Sequence, residues 1–84
     1  MTRDEIEKAM IRIFADQFEI ENPGLDDDLR EVHEFDSIDA IELLREIEIF
    51  LGVQLAREEK KAAMDIRTIN QIVDYVARLN GQAK

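Results

Sequence analysis

Read for the spacing of its apolar residues, the chain alternates between stretches that keep a helical period and stretches that lose it. Ile6, Met10, Ile13 and Phe14, with Phe18 a turn later, recur as one helical face, and Thr2 and Glu5 stand before them at capping-box spacing. A first helix is predicted from about Arg3 to Gln17, with Asp4, Glu7, Lys8 and Arg12 on its solvated side. From about Glu19 to Phe35 the period fails. Asn22-Pro23-Gly24 is a strong turn signal, and Asp26-Asp27-Asp28 suits capping or turning but not a core. So long a connection in so small a chain must be pinned, and Leu25, Leu29, Val32 and Phe35 are the expected anchors.

A second helix is predicted from Ser37 to about Leu51, with Gly52 suited to the left-handed position that follows a helix. Its core face carries Ala40, Leu43, Leu44, Ile47, Phe50 and Leu51, and Asp39, Glu42 and Glu46 fall together on another side. Between them runs a strip of Ile38, Ile41, Arg45 and Ile49, more apolar than a solvent face requires and therefore a candidate docking surface. The competing reading packs Ile38 and Ile41 under the long connection and pairs Arg45 with Glu42 and Glu48. Ala56 to Met64 is a polar run of good helix formers, predicting a short third helix. Thr68 and Gln71 form a capping box ahead of Ile69, Ile72, Val73, Val76 and Leu79, a last helix ending at Asn80-Gly81. The expected fold is all-α, with three main helices plus one short helix in a single domain over residues 1–84.

Charge narrows the partners. The 84 residues hold 20 acids against 11 bases, a net charge of −9. Phosphate-backbone binding needs clustered Lys and Arg, so nucleic acid and anionic membrane are poor partners, whereas basic patches on other proteins attract such a domain. With no cysteine there is no disulfide framework, zinc knuckle or thiol nucleophile. The single histidine, His33, is expected on an exposed loop and makes no metal site alone. An EF-hand beginning at Asp26 would need Gly and Glu where the chain has Glu31 and Ser37. A serine nucleophile needs an adjacent base with an orienting partner and an oxyanion hole; His33 is the only candidate base and the chain has no glycine-rich loop, so autonomous catalysis is not expected. Ile49 to Leu55, the longest nearly apolar run, is too short to span a bilayer. A cytoplasmic monomer is expected.

One stretch carries more specific information. With Asp36 as N-cap, Ser37 is the first helical residue and Asp39 the third, so both carboxylates are placed to accept from unpaired N–H groups. Asp-Ser before an apolar helix is ordinary capping chemistry by itself. The whole run Asp36-Ser37-Ile38-Asp39-Ala40-Ile41-Glu42-Leu43, however, resembles the acyl carrier protein signature Asp-Ser-Leu-Asp-x-Val-Glu-Leu.

The resemblance implies a four-helix carrier bundle with a long first loop, and a 4'-phosphopantetheine arm taken from CoA and attached to Ser37 by a phosphopantetheinyl transferase. It also implies partner contacts through Asp36, Ile38, Asp39, Ile41, Glu42, Arg45 and Glu46. The partners would be an acyl-ACP synthetase, ketosynthase, acyltransferase or similar enzyme with a basic patch, in fatty-acid, lipid or polyketide-type biosynthesis. The chain departs from the family at Glu34, where Gly is usual before the motif, at Arg45, where Met or Val is usual, and at Leu55-Ala56, which lacks the family's proline. The bulk and charge of Glu34 in that place suggest a specialised carrier serving its own pathway enzymes. The alternative is an unmodified acidic helical module that binds a partner through Ile38, Ile41, Arg45 and Ile49.

Overall fold

Three reciprocal caps, each closed within four residues of sequence, fix where the long helices begin. The computed structural model describes residues 1–82, so the last two positions of the expected 1–84 domain lie outside the described residues. Helix α1 is Arg3–Phe18, α2 Leu29–His33, α3 Ser37–Leu51, α4 Arg57–Ala63 and α5 Ile69–Gln82. Thr2 Oγ1 accepts from Glu5 N–H while Glu5 Oε1 accepts from Thr2 N–H, and the latter bond draws the Glu5 carboxyl below its ordinary pKa. Thr68 and Gln71 exchange the same bonds ahead of α5. At the other ends, Glu19, Glu34 and Gly52 take left-handed backbone after α1, α2 and α3, with φ of 56°, 56° and 69°.

The helices enclose one apolar core. Helix α1 packs chiefly on α5, burying Ile6, Met10 and Phe14 against Ile69, Ile72, Val73 and Val76, and α3 adds Ala40, Leu43, Leu44 and Ile47. Phe50 and Leu51, expected on that same face, are half-buried where α3 runs out of the core. Helix α5 continues through Gly81 to Gln82, slightly beyond its expected end.

The long connection departs most from expectation, because it contains a five-residue helix, α2. Asp28 caps it, accepting from Arg30 and Glu31 N–H at 3.0 and 3.2 Å. Distant partners hold it: Leu29 N–H donates to Arg67 O at 2.8 Å, Asn70 N–H to Leu25 O at 3.0 Å, and Arg30 Nη2 to Met64 O at 3.1 Å. Leu29 and Phe35 are buried anchors and Leu25 a partly buried one, but Val32 is 58% exposed, since the turn faces inward through Leu29 and the half-buried His33, four residues apart, and leaves Val32 at the outer edge of that face. His33 is not an exposed loop residue either. It ends α2 half-buried, with Nε2 shielded from solvent and 3.6 Å from Asp27 Oδ2.

Candidate functional site

Ser37 owes its position to an aromatic anchor immediately before the helix. Phe35 is buried against Phe14 and Phe18, with all three ring centroids 5.3–5.4 Å apart, and such contacts fix the path of the chain. Asp36 then turns outward as N-cap, its Oδ1 accepting from Ile38 and Asp39 N–H, each at 3.0 Å, while Asp39 Oδ2 accepts from Asp36 N–H at 3.1 Å. These bonds leave the N–H of Ser37, the first residue of α3, without a partner among the described residues. The Ser37 side chain is exposed and enters no hydrogen bond among the described residues. A free hydroxyl beside a free N–H, at the positive end of a fifteen-residue helix, suits an esterified phosphate.

Around this point the predicted contact residues divide. Ile38, Ile41 and Ile49 are 69%, 61% and 70% exposed, so the long connection does not cover Ile38 or Ile41. Asp39 and Glu42 line a polar groove of about 290 Å³ shared with Asp16, Glu19 and His33. Ile41, Glu42 and Arg45 line a second groove, between α3 and α4. Glu46 is half-buried and lines neither. The pairing of Arg45 with Glu42 and Glu48 that the competing reading called for is absent among the described residues; Glu48 Oε2 instead accepts from Leu55 N–H at 2.8 Å and pins the turn before α4.

Behind the serine the interior is closed. The cavity bounded by Phe35, Leu43, Leu44, Ile47, Ile66 and Tyr75 measures about 10 Å³, at the lower limit of what holds one water. Tyr75 crosses its far wall to donate to Glu59 O at 2.8 Å. Burial, then the neighbouring Glu59 carboxylate, push the Tyr75 phenol up to about 12.

A family model described as "Phosphopantetheine attachment site" matches residues 8–76. The chain belongs to the acyl carrier protein family. An acyl carrier protein of Rubrobacter xylanophilus is 35% identical over 78 residues, covering 90% of this chain and 93% of the relative. Those of Rickettsia canadensis and Rickettsia rickettsii are each 27% identical over 77 residues, covering 89% of this chain and 86% of theirs. As an acyl carrier protein the chain bears a 4'-phosphopantetheine prosthetic group and holds acyl groups on it. Its family carries intermediates for biosynthetic enzymes rather than catalysing their chemistry. No helix among the described residues is long and apolar enough to cross a membrane.

Two positions near the site carry no local signal of their setting in the sequence. Glu48, which fixes the α3–α4 turn, is one of many acids on α3 and carries no local signal of that role. Lys60, on the rim of the second groove, lies in a run that reads only as a solvated helix.

Proposed function

We propose that Ser37 is the attachment residue, and that the protein as one domain presents acyl thioesters on this arm to enzymes of fatty-acid, lipid or polyketide-type biosynthesis. The observation that carries the assignment is the exposed, unbonded Ser37 side chain beside an unpaired N–H at the start of α3. The helix terminus favours the phosphodiester by about 0.3–1 kcal/mol, and Asp36 and Asp39 oppose it through like charge. When bound, the group supplies a long arm ending in a thiol, which bears the acyl cargo. The chain's own residues hold the anchor. Phe35 fixes its position, Asp36 and Asp39 stiffen the helix start, and the exposed Ile38 and Ile41 offer apolar contact.

Asp36, Ile38, Asp39, Ile41, Glu42, Arg45 and Glu46 form the surface that meets the transferase and later partners such as an acyl-ACP synthetase, ketosynthase or acyltransferase. Glu34 and Arg45, where the family usually has Gly and an aliphatic residue, support a carrier dedicated to its own enzymes. We read the protein as a cytoplasmic monomer that does no catalysis itself.

The test is intact mass after incubation with CoA, magnesium and a broad-specificity phosphopantetheinyl transferase. A phosphopantetheine-sized gain is expected on the wild type and not on Ser37→Ala. No gain on folded wild type, with a transferase that loads a known carrier alongside, would overturn the assignment.

A further inference from the structure

Among the described residues that line the closed cavity, Arg30 alone is charged. It is half-buried, forms no ion pair among the described residues, and donates from Nη2 to the carbonyl of Met64, the C-cap of α4, at 3.1 Å. A guanidinium so placed gives up hydration that no carboxylate returns. A methionine would cover the same apolar wall at less cost, so what the arginine adds is the directed bond. Beside it lies a second one: Leu29 N–H donates to Arg67 O, while Leu29 O accepts from both Glu34 and Phe35 N–H. Adjacent residues of α2 are thus fastened to the turn between α4 and α5, and the same helix is bonded to Phe35, two residues before Ser37. A helix of five residues does not hold itself together. Its outside bonds decide where it lies.

We infer that Arg30 is a positioning residue for the loading of Ser37: by tying α2 to Met64 O it holds Phe35 and the Asp36 cap, and through them the first turn of α3. The inference rests on the reading of Ser37 as the attachment residue. In loading, the Ser37 oxygen bonds to the CoA phosphorus next to pantetheine, the bond from that phosphorus to 3',5'-ADP breaks with its electron pair on the leaving oxygen, and the serine proton passes to the transferase. Such a displacement needs the hydroxyl in line, and a misplacement of about 1 Å can cost about a hundredfold. The body of α3 is secured by Ala40, Leu43, Leu44 and Ile47 in the core. Its first turn is closed by Asp36, whose Oδ1 accepts from Ile38 and Asp39 N–H, and helix ends fray. Loosening α2 therefore moves the serine without unfolding the helix that carries it.

Three variants of the full chain test this. Arg30→Met keeps the apolar stem and removes the bond, Arg30→Lys keeps a donor and the charge, and Arg57→Gln, at an exposed site on α4, removes one charge elsewhere. Each is loaded from CoA and magnesium by a broad-specificity phosphopantetheinyl transferase, with kcat and KM read by mass, and amide hydrogen exchange is followed at Ile38 and Asp39. Arg30→Met should lose about three- to tenfold in kcat, the range one hydrogen bond supports, with KM within about twofold because the surface that meets the transferase is untouched. Exchange at Ile38 and Asp39 should quicken by a like factor, while the buried Val73 and Val76 keep wild-type protection. Arg30→Lys should recover most of both losses, and Arg57→Gln should show neither. Loading and protection at Ile38 and Asp39 must move together across the variants, and one that changes either without the other overturns the inference. So does Arg30→Met behaving as wild type, or a protection loss shared by Val73 and Val76, which would mark a merely looser fold. If the wild type gains no mass, the attachment reading falls and the inference with it. If the wild type loads and Arg30→Met matches it, only the inference falls.

Discussion

Replacing Glu34 by glycine should make the protein more stable, although the substitution removes every side-chain atom. Glu34 follows α2 with φ 56° and ψ 30°, and a residue with a Cβ pays about 1–2 kcal/mol for that left-handed conformation. Glycine escapes the clash but loses about 0.5–1 kcal/mol through its greater freedom in the unfolded chain. The balance is a gain of about 0.5–1 kcal/mol, or roughly 2–8 °C in melting temperature for a domain of this size. Urea and thermal melts followed by far-ultraviolet circular dichroism measure it. Glu34→Ala controls for charge, since it removes the carboxylate and keeps the strain. If Glu34→Gly melts no higher than Glu34→Ala, backbone strain is not what this position stores. Gly52, with φ 69° and open space where a Cβ would stand, supplies the mirror test: Gly52→Ala should lose about 1 kcal/mol from backbone strain alone.

Other expectations follow from single contacts. Asp36→Ala removes the acceptor for Ile38 and Asp39 N–H and should cost about 1 kcal/mol in a denaturant melt, whereas Asp36→Asn keeps the cap and should be near wild type in stability while loading more slowly if charge guides the transferase. Phe14→Ala, at a fully buried site touching both Phe18 and Phe35, should cost about 3–5 kcal/mol, read as a lowered midpoint in a urea melt. Because the folded state raises the Tyr75 pKa from 10 to about 12, its contribution is whole below pH 10 and is lost as pH rises through 12; Tyr75→Phe should flatten that alkaline loss in melts taken across the interval.

What could be read in the sequence divides by how far apart the deciding partners lie. The capping pairs Thr2 with Glu5, Asp36 with Asp39 and Thr68 with Gln71 each close within four residues, so the starts of α1, α3 and α5 were legible, as was the left-handed Gly52. The exposed side chain at Ser37 follows from the same local chemistry. Helix α2 was not legible, because Arg67, Asn70 and Met64 hold it from 34 or more residues away, and with it went the true settings of Val32 and His33. The competing reading of Arg45 as an ion-paired surface residue failed for a similar reason. Spacing offered it Glu48, and a loop N–H seven residues beyond that acid had claimed the carboxylate. Glu34, where the family usually has glycine before the motif, takes a positive φ, a conformation that glycine adopts without strain.

The way α4 is fastened has a consequence for how the molecule breathes. Of its seven residues only Ala63 is buried, so no hydrophobic seam secures it. It hangs on polar hooks: Glu48 on Leu55 N–H before it, the Arg78 guanidinium on the Glu59 carboxylate at 2.7 and 3.2 Å along it, and Arg30 on Met64 O after it. Charged hooks weaken as ionic strength rises, while hydrophobic burial does not. Salt should therefore loosen α4 while α1, α3 and α5 stay folded, giving this small bundle two separate thermodynamic scales, with Ala63, the one α4 residue that lines its closed cavity, on the weaker one.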